Sequence, residues 1–329
     1  MADQKSQQAR RVLITGATGF IGTQLVQQIV EQHPQWHLVA TDVRPSAEVE
    51  ELANRFSLHD VRDQEALVSL LREEQVDTLV HLASIVVPPP GMSRETLYEI
   101  DVVGTRKVLD AAQQAGVEQF VVTTSGAAYG YHADNPEWLS ESDPLRGNES
   151  FAYSAHKRMV EEMLADYRQQ HPSLKQLVLR PGTVLGATAN NQITNLFEQK
   201  RIIGVAGCRS PFVFIWDQDL VKIIVQGIQQ RSAGIYNVAG DGALSMAQLA
   251  IRLGKPYLPL PSWLIRGALS VLKPLGLNQY GPEQVKFISY RPVLDNQRLK
   301  AEFGYTPRYT SEQAFDAYLE CREKRQEVS

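Results

Sequence analysis

Only two cysteines, Cys208 and Cys321, occur in the 329 residues. They make no disulfide framework, and no Cys/His spacing of a zinc site accompanies them, so no metal is expected. A reducing compartment fits, and the cytoplasm is the expected location. Residues 1–11 are polar and lack an apolar h-region, so they do not read as a signal peptide. No run is apolar enough to span a bilayer, and no membrane partner is expected. The most apolar stretch, residues 263–277, is short and carries Arg266 and Lys273. It reads as a packed amphipathic helix, with a membrane-touching or lipid-substrate surface as the other reading. Lysines and arginines total 33 against 37 acids, a net charge of −4 without a basic block, which argues against a nucleic-acid partner. Repeats and low-complexity tracts are missing too. Residues 1–9 and about 323–329 are expected to be frayed tails.

The first half alternates β-branched runs with helical patterns. Residues 12–15, 38–41, 78–81, 120–124 and 177–180 read as buried strands. Ile21, Leu25 and Ile29 recur at helical spacing. Leu97, Gly104, Val108 and Ala112 mark a second helix, and Tyr153, Lys157, Val160, Leu164 and Tyr167 a third. Such alternation predicts an α/β fold with a doubly wound, Rossmann-type parallel sheet. Late strands are expected at 212–215 and 235–238. From Pro256 onward proline and glycine punctuate the chain, which suggests a smaller, loop-rich lobe. The expected division is a dinucleotide-binding domain over 10–180, to which strands from about 212–240 return, and a mainly substrate-binding lobe over 181–329.

Residues 12–22, VLITGATGFIG, have the order strand, glycine loop, helix. Gly16 permits a tight turn, Gly19 lets backbone approach a pyrophosphate, and Gly22 lets helix and strand pack closely. The helix N-terminus then offers unpaired N–H groups to phosphates. Asp42 falls 20 residues after Gly22, at the end of the next strand, where a carboxylate would hold the adenosine ribose hydroxyls and repel a 2′-phosphate. NAD is therefore expected over NADP. Arg44 works against this if it pairs with a 2′-phosphate, and is neutral if it is a solvated loop residue. In the run Asp60-Val-Arg-Asp63, Asp60 reads equally as an adenine ligand or as a helix N-cap.

Tyr153 and Lys157 stand at i, i+4 on one helical face. A free phenol, with a pKa near ~10, is a poor base at neutral pH, and a lysine cation beside it favours the phenolate. The tyrosine can then exchange a proton with a substrate hydroxyl as hydride is transferred. Ser125 lies just past the strand at 120–124, on the edge where open α/β sheets bind ligands, and its hydroxyl can hydrogen-bond the reacting oxygen. A turn serine is the alternative for Ser125 taken alone.

Together these motifs resemble the extended short-chain dehydrogenase/reductase superfamily, in its NAD-dependent epimerase/dehydratase family, over nearly the whole chain. The matching segments are TGATGFIG at 15–22, Asp60 to Asp63, His81-Leu-Ala-Ser84, TTSGAAYG at 123–130, the Tyr153/Lys157 pair, RPGTVLG at 180–186, FVFIWDQDL at 212–220, and 295–307 ending FGYTP. The resemblance implies that Tyr153 is the acid/base, Lys157 its partner and a cofactor ligand, and Ser125 a substrate hydrogen-bond donor. It implies a cofactor lining of Gly16, Thr18, Gly19, Phe20, Ile21, Gly22, Asp42, Arg44, Asp60, Val61, Leu82, Ala83, Ser84, Tyr153, Lys157 and Pro181. Homodimerisation through the helices of residues 94–115 and 152–170 is also implied.

Departures bear on the substrate. Sugar-nucleotide 4,6-dehydratases of the family carry an Asp-Glu pair where this chain has Gly126 and Ala127, so that reaction is disfavoured. Thr183 stands where an asparagine commonly meets the nucleotide diphosphate, and Asp101 where an asparagine is usual. Ser125, Gly126, Ala127, Thr183, Arg209 and Arg291 are the candidate substrate residues, the two arginines as diphosphate ligands. The proline-rich loop at 85–90 is apolar, and is either a substrate wall or a rigid connection. A nucleotide-sugar epimerase leads. The alternatives are a net dehydrogenase/reductase of a smaller or more apolar alcohol, similar to 3β-hydroxysteroid dehydrogenases or dihydroflavonol reductases, and a non-catalytic dinucleotide-binding regulator.

Overall fold

The computed structural model describes residues 9–89, 91–209, 211–272, 281–282 and 284–328, without the side chains of Gln192, Gln284 and 326–328. The chain runs through β1 (Arg11–Thr15), α1 (Phe20–Gln32), β2 (His37–Asp42), α2 (Ala47–Leu52), β3 (Arg55–Leu58), α3 (Gln64–Glu73), β4 (Thr78–His81), α4 (Arg94–Tyr98), α5 (Gly104–Ala115) and β5 (Gln119–Thr123). It continues with α6 (Ala152–Gln170), β6 (Lys175–Pro181), β7 (Thr183–Leu185), α7 (Gln192–Phe197), β8 (Ile202–Val205), β9 (Phe214–Trp216), α8 (Asp217–Gln230) and β10 (Gly234–Val238). Last come α9 (Met246–Arg252), β11 (Tyr257–Leu260), α10 (Ser262–Leu272), α11 (Gln284–Ser289) and α12 (Ser311–Val328).

Two compact units divide the chain. The first comprises residues 1–125, 159–180 and 217–236, and the second 126–158, 181–216 and 237–329. Neither is a single run of chain.

The seven-stranded sheet has the order β10-β6-β5-β4-β1-β2-β3, and its pairings from β3 to β6 are parallel. The α/β, Rossmann-type expectation holds. Leu13, Val39, Leu79, Phe120, Val122 and Val178 point to one face, where residues of α3, α5 and α6 cover them. Strand alternation sends Val12, Ile14, Leu38 and Ala40 to the other face. They are equally buried, on the side where α1 packs against α2 and α8. Each fully buried Val, Leu, Ile or Phe contributes about 1.5–3 kcal/mol. Coverage on both sides explains why these strands read as unbroken apolar runs.

The second unit pairs β7 with β9 and β8 with β11, both parallel. Its core gathers Phe197, Phe212, Phe214, Phe315 and Tyr318. Strands β7, β8 and β11 are three or four residues long, too short for a period-two pattern to emerge from the sequence. The late strand expected at 212–215 is displaced to 214–216, and Phe212 makes an isolated antiparallel bridge to Leu244.

Two further expectations are corrected. Residues 323–328 are not a frayed tail, because α12 runs to Val328, its earlier turns anchored by the buried Ala314, Phe315 and Tyr318. The cap of α3 is Asp63, which accepts from Ala66 N at 3.1 Å, and not Asp60, which turns to Arg62. Of the helix expected over 263–277, α10 supplies the part to Leu272, and residues 273–280 lie outside the described residues, as do 1–8 and 329 at the expected tails.

Candidate functional site

Strand order reverses between β1 and β4. From β1 the chain steps outward to β2 and β3, then returns to β4 and goes the other way. Loops leaving the carboxyl ends of these two strands diverge, and ligands of open α/β sheets bind in that crevice. The glycine loop leaves β1 there, and Leu82, Ala83 and Ser84 leave β4 beside it. Leu82 N donates to Thr15 O at 3.1 Å.

Gly16 takes φ +70°, and a Cβ on it would lie 2.6 Å from the Ala83 nitrogen. A Cβ on Gly22 would lie 2.2 Å from Gly16 O. Both positions are closed to side chains by backbone, so the loop is a cradle of main chain. Gly19 is the N-cap of α1 and supplies no side-chain cap, and no acid stands in the first turn of Phe20, Ile21 and Gly22. The N-terminal N–H groups and helix dipole are thus available to an anion. Thr18 Oγ1 is sealed from solvent without a hydrogen-bond partner. A buried orphan hydroxyl in a glycine cradle fits a pyrophosphate acceptor.

Asp42 ends β2, is 8% exposed, and accepts from Thr18 N at 3.1 Å and from Arg44 N at 3.2 Å. The carboxylate is fixed at the loop with acceptor capacity to spare, while the Arg44 side chain is exposed. Asp60 forms a two-point pair with Arg62, whose guanidinium holds its carboxyl below the usual range. Val61 is buried and packs where Gly104 has no side chain: a Cβ there would lie 2.8 Å from Val61 Cγ2.

The frame behind this crevice is polar and satisfied. Thr105 donates its hydroxyl proton to Asp101 O at 2.6 Å, so it receives a proton from His81 Nε2 at 3.0 Å. His81 Nδ1 meets Thr15 Oγ1 at 2.8 Å. Asp101 Oδ1 accepts from Ser84 Oγ and Ile85 N, both at 3.0 Å. The aspartate that departs from the usual asparagine thus pins the loop after β4. Sequence reasoning missed this role; the signal was an acid on an apolar helix face.

Ser125 follows β5 and is 9% exposed. Its neighbour Thr124 donates to Glu161 Oε1 at 2.6 Å. Arg180 grips the same carboxylate with Nε at 2.8 Å and Nη2 at 2.7 Å, at 4% and 2% side-chain exposure. This bidentate pair ties α6 to the end of β6. Arg180 opens the 180–186 segment, but nothing in the sequence pointed to Glu161 as its partner.

In the second unit, Gly126 and Ala127 form a buried 3₁₀ turn ending at Tyr129. A Cβ on Gly126 would stand 3.0 Å from both terminal methyls of Leu294. Ser154 Oγ donates to Ala127 O at 2.7 Å and accepts from Asn148 N at 3.0 Å. That contact holds the start of α6 to the turn. On α6, Lys157 Nζ lies 5.5 Å from the centre of the Tyr153 ring. Phe151 neighbours Tyr153, with ring centres 6.3 Å apart, and Phe287 neighbours Phe151 at 5.4 Å. The guanidinium of Arg291 covers Phe287 at 4.7 Å and Phe212 at 4.1 Å. Its Nη2 reaches Thr183 Oγ1 at 3.4 Å, while Nη1 is buried with no partner. Burial draws this arginine down to about 10, with nearby Tyr131 pulling the other way. Thr183 is on β7 and Pro181 ends β6. Arg209 is exposed and does not join the cluster.

Residues 12–239 match the NAD dependent epimerase/dehydratase family. The chain belongs to that family. Within it, the N-acetyl-alpha-D-glucosaminyl-diphospho-ditrans,octacis-undecaprenol 4-epimerase of Escherichia coli O157:H7 is 26% identical, over 94% of each chain. The UDP-glucose 4-epimerase of Erwinia amylovora is 29% identical over 55% of this chain and 56% of its own. The UDP-glucose 4-epimerase structure from Thermotoga maritima superposes with a TM-score of 0.73, at 17% identity, over 96% of this chain and 99% of that one. Among the described residues no cluster of His, Cys, Asp and Glu could hold a metal ion, and no helix is long and apolar enough to cross a membrane.

Proposed function

We propose that this family member is an NAD-dependent epimerase of a nucleotide sugar. Arg291 carries the reading. A guanidinium with a buried, unpartnered Nη1 and, among the described residues, no carboxylate against it costs stability in the free protein. The cost is offset when a substrate brings a negative group, and a sugar diphosphate is such a group. The curated relatives support the choice, since both act, by name, on sugars carried on a diphosphate.

The glycine cradle, the orphan hydroxyl of Thr18 and the fixed Asp42 suit NAD. The carboxylate of Asp42 would accept from ribose hydroxyls and repel the added charge of NADP. Asp60 and Val61 flank the adenine end in this reading, and Leu82 to Ser84 with Pro181 complete the lining. Bound NAD would supply a hydride acceptor that returns the hydride to the opposite face of the sugar carbon. Tyr153 takes the proton of the sugar hydroxyl and gives it back, Lys157 favours its phenolate, and Ser125 donates to the same oxygen. Gly126 and Ala127 supply no acid to expel a second hydroxyl, and Leu294 crowds any side chain added at 126, so epimerisation is favoured over dehydration. The working form is a cytoplasmic homodimer built on the helices of residues 94–115 and 152–170, a state that light scattering reads directly.

The deciding experiment incubates the NAD-loaded enzyme with UDP-glucose and UDP-N-acetylglucosamine and follows the sugar by NMR. The expected result is interconversion of the C4 epimers without net NADH, lost in Tyr153→Phe while NAD affinity stays within about twofold. Steady NADH accumulation with no epimer would transfer the protein to the dehydrogenases.

A further inference from the structure

Helix α10 turns an apolar face outward. Only Ile265 of its residues is buried, against Val205 and Val285, with Leu260 and Leu269 beside them. Trp263 is 71% exposed, Val271 60% and Leu264 42%. The preceding strand adds Leu258, which is cross-strand partner to Ile203 of β8, and both are exposed. A large exposed tryptophan beside aliphatic neighbours costs solvation wherever it faces only water.

The segment that carries β11 and α10 has cations and no acid. No aspartate or glutamate occurs between Asp241 and Glu283, in a chain whose net charge is −4. Arg266 lies on α10 among the apolar residues and is exposed. Lys200 and Arg201 lead into β8, Arg209 follows it, and all three are exposed. None of these four cations forms an ion pair among the described residues. The nearest acid in sequence, Glu198, is engaged by Arg322 at 2.7 Å. A short helix with tryptophan, leucine and valine exposed, an arginine among them and no acid of its own has the composition of an element that lies in the headgroup boundary of an anionic bilayer. A partner protein of the usual mixed charge would meet unpaired cations at this face, whereas anionic lipid matches them throughout.

We propose that α10, with β8 and β11 beside it, docks this protein reversibly on an anionic membrane surface. The helix lies in the interface and does not span it. Its eleven residues reach about 16 Å at 1.5 Å each, half of a hydrocarbon core. The contact departs from the sequence expectation of no membrane partner. It is independent of which sugar the enzyme acts on, so failure of one reading leaves the other standing.

The test is co-sedimentation of the full chain with vesicles of phosphatidylcholine alone and of phosphatidylcholine mixed equally with phosphatidylglycerol. Binding to the anionic vesicles should be at least about tenfold tighter and should weaken with salt. Trp263→Ser with Val271→Ser should remove binding to both vesicles while melting temperature and NAD affinity stay unchanged. Arg266→Gln should lower the anionic preference roughly fivefold, the share of one cation near such a surface. Failure of the unmodified protein to bind either vesicle overturns the proposal, as does binding that survives the double substitution. A double variant that loses self-association instead, seen by light scattering, assigns the face to a second copy and overturns it equally.

Discussion

Replacing Gly22 by alanine should separate the cofactor cradle from general backbone strain. The added Cβ would sit 2.2 Å from Gly16 O and 2.8 Å from Ala17 C and Cα. Ordinary contact begins near 3.4 Å, so helix and loop must part by about 1.2 Å. Helix α1 is held by α2 and α8, and the loop by Leu82 and Ala83, so the motion is resisted from both sides. Overpacking of this kind costs about 1–3 kcal/mol of stability. Shifting the N-terminal N–H groups away from the pyrophosphate forfeits at least one charged hydrogen bond, about 1.5–3 kcal/mol, or roughly ten- to hundredfold in Kd. Isothermal titration with NAD and urea unfolding read the two effects. Gly116→Ala is the control. Gly116 caps α5 at φ +77°, with nothing within 4 Å of an added Cβ. It should lose about 1–2 kcal/mol of stability through the left-handed backbone alone and keep its NAD affinity. Unchanged NAD binding in Gly22→Ala, or equal weakening in both variants, would refute the reasoning.

Other outcomes follow from the same geometry. Arg291→Met should stabilise the free protein by about 1–3 kcal/mol and weaken UDP-sugar binding at least about tenfold; a fall in stability on thermal melting would give Arg291 a structural role instead. Glu161→Leu removes the buried carboxylate that Arg180 grips and should cost about 3–5 kcal/mol by urea unfolding, most of it recovered when Arg180→Met is added. A double variant as unstable as the single one would show that the pair is not the source. Burial holds the Asp217 carboxyl above its ordinary range, opposed by hydrogen bonds from Gln218 N and Gln24. A raised carboxyl pKa in the folded state means that ionisation destabilises above it, so Asp217→Asn should gain stability at pH 7. That gain should shrink as pH falls through the folded value toward 3.8. A gain that grows toward low pH reverses the sign and removes the explanation.

Strands β1, β2, β4, β5 and β6 were legible because a sheet covered on both faces leaves no polar alternation to confuse the pattern. The glycine cradle was legible because strand, loop and helix follow one another within a dozen residues. Asp42 was placed correctly at a strand end, yet its bonds to Thr18 and Arg44 depend on a turn that spacing does not encode. Asp60 and Asp63 are three residues apart, and either could have capped α3; Arg62 draws Asp60 away, which leaves Asp63. Arg291 was picked as a candidate, but its aromatic seat on Phe212 and Phe287 joins residues 75 positions apart. The Glu161–Arg180 pair escaped notice because its members stand 19 positions apart on different elements, and only the fold brings them together.

The first unit takes its last stretch from residues 217–236, and α8 in that stretch packs against α1. A ribosome that has finished α1 must therefore add about 185 residues before the covering helix emerges. At roughly 5–20 residues per second, Leu25, Val26 and Ile29 wait on the order of 10–40 s for their complete shelter. The nascent chain thus carries a scheduled interval of stickiness, set by the order of its elements and not by their strength.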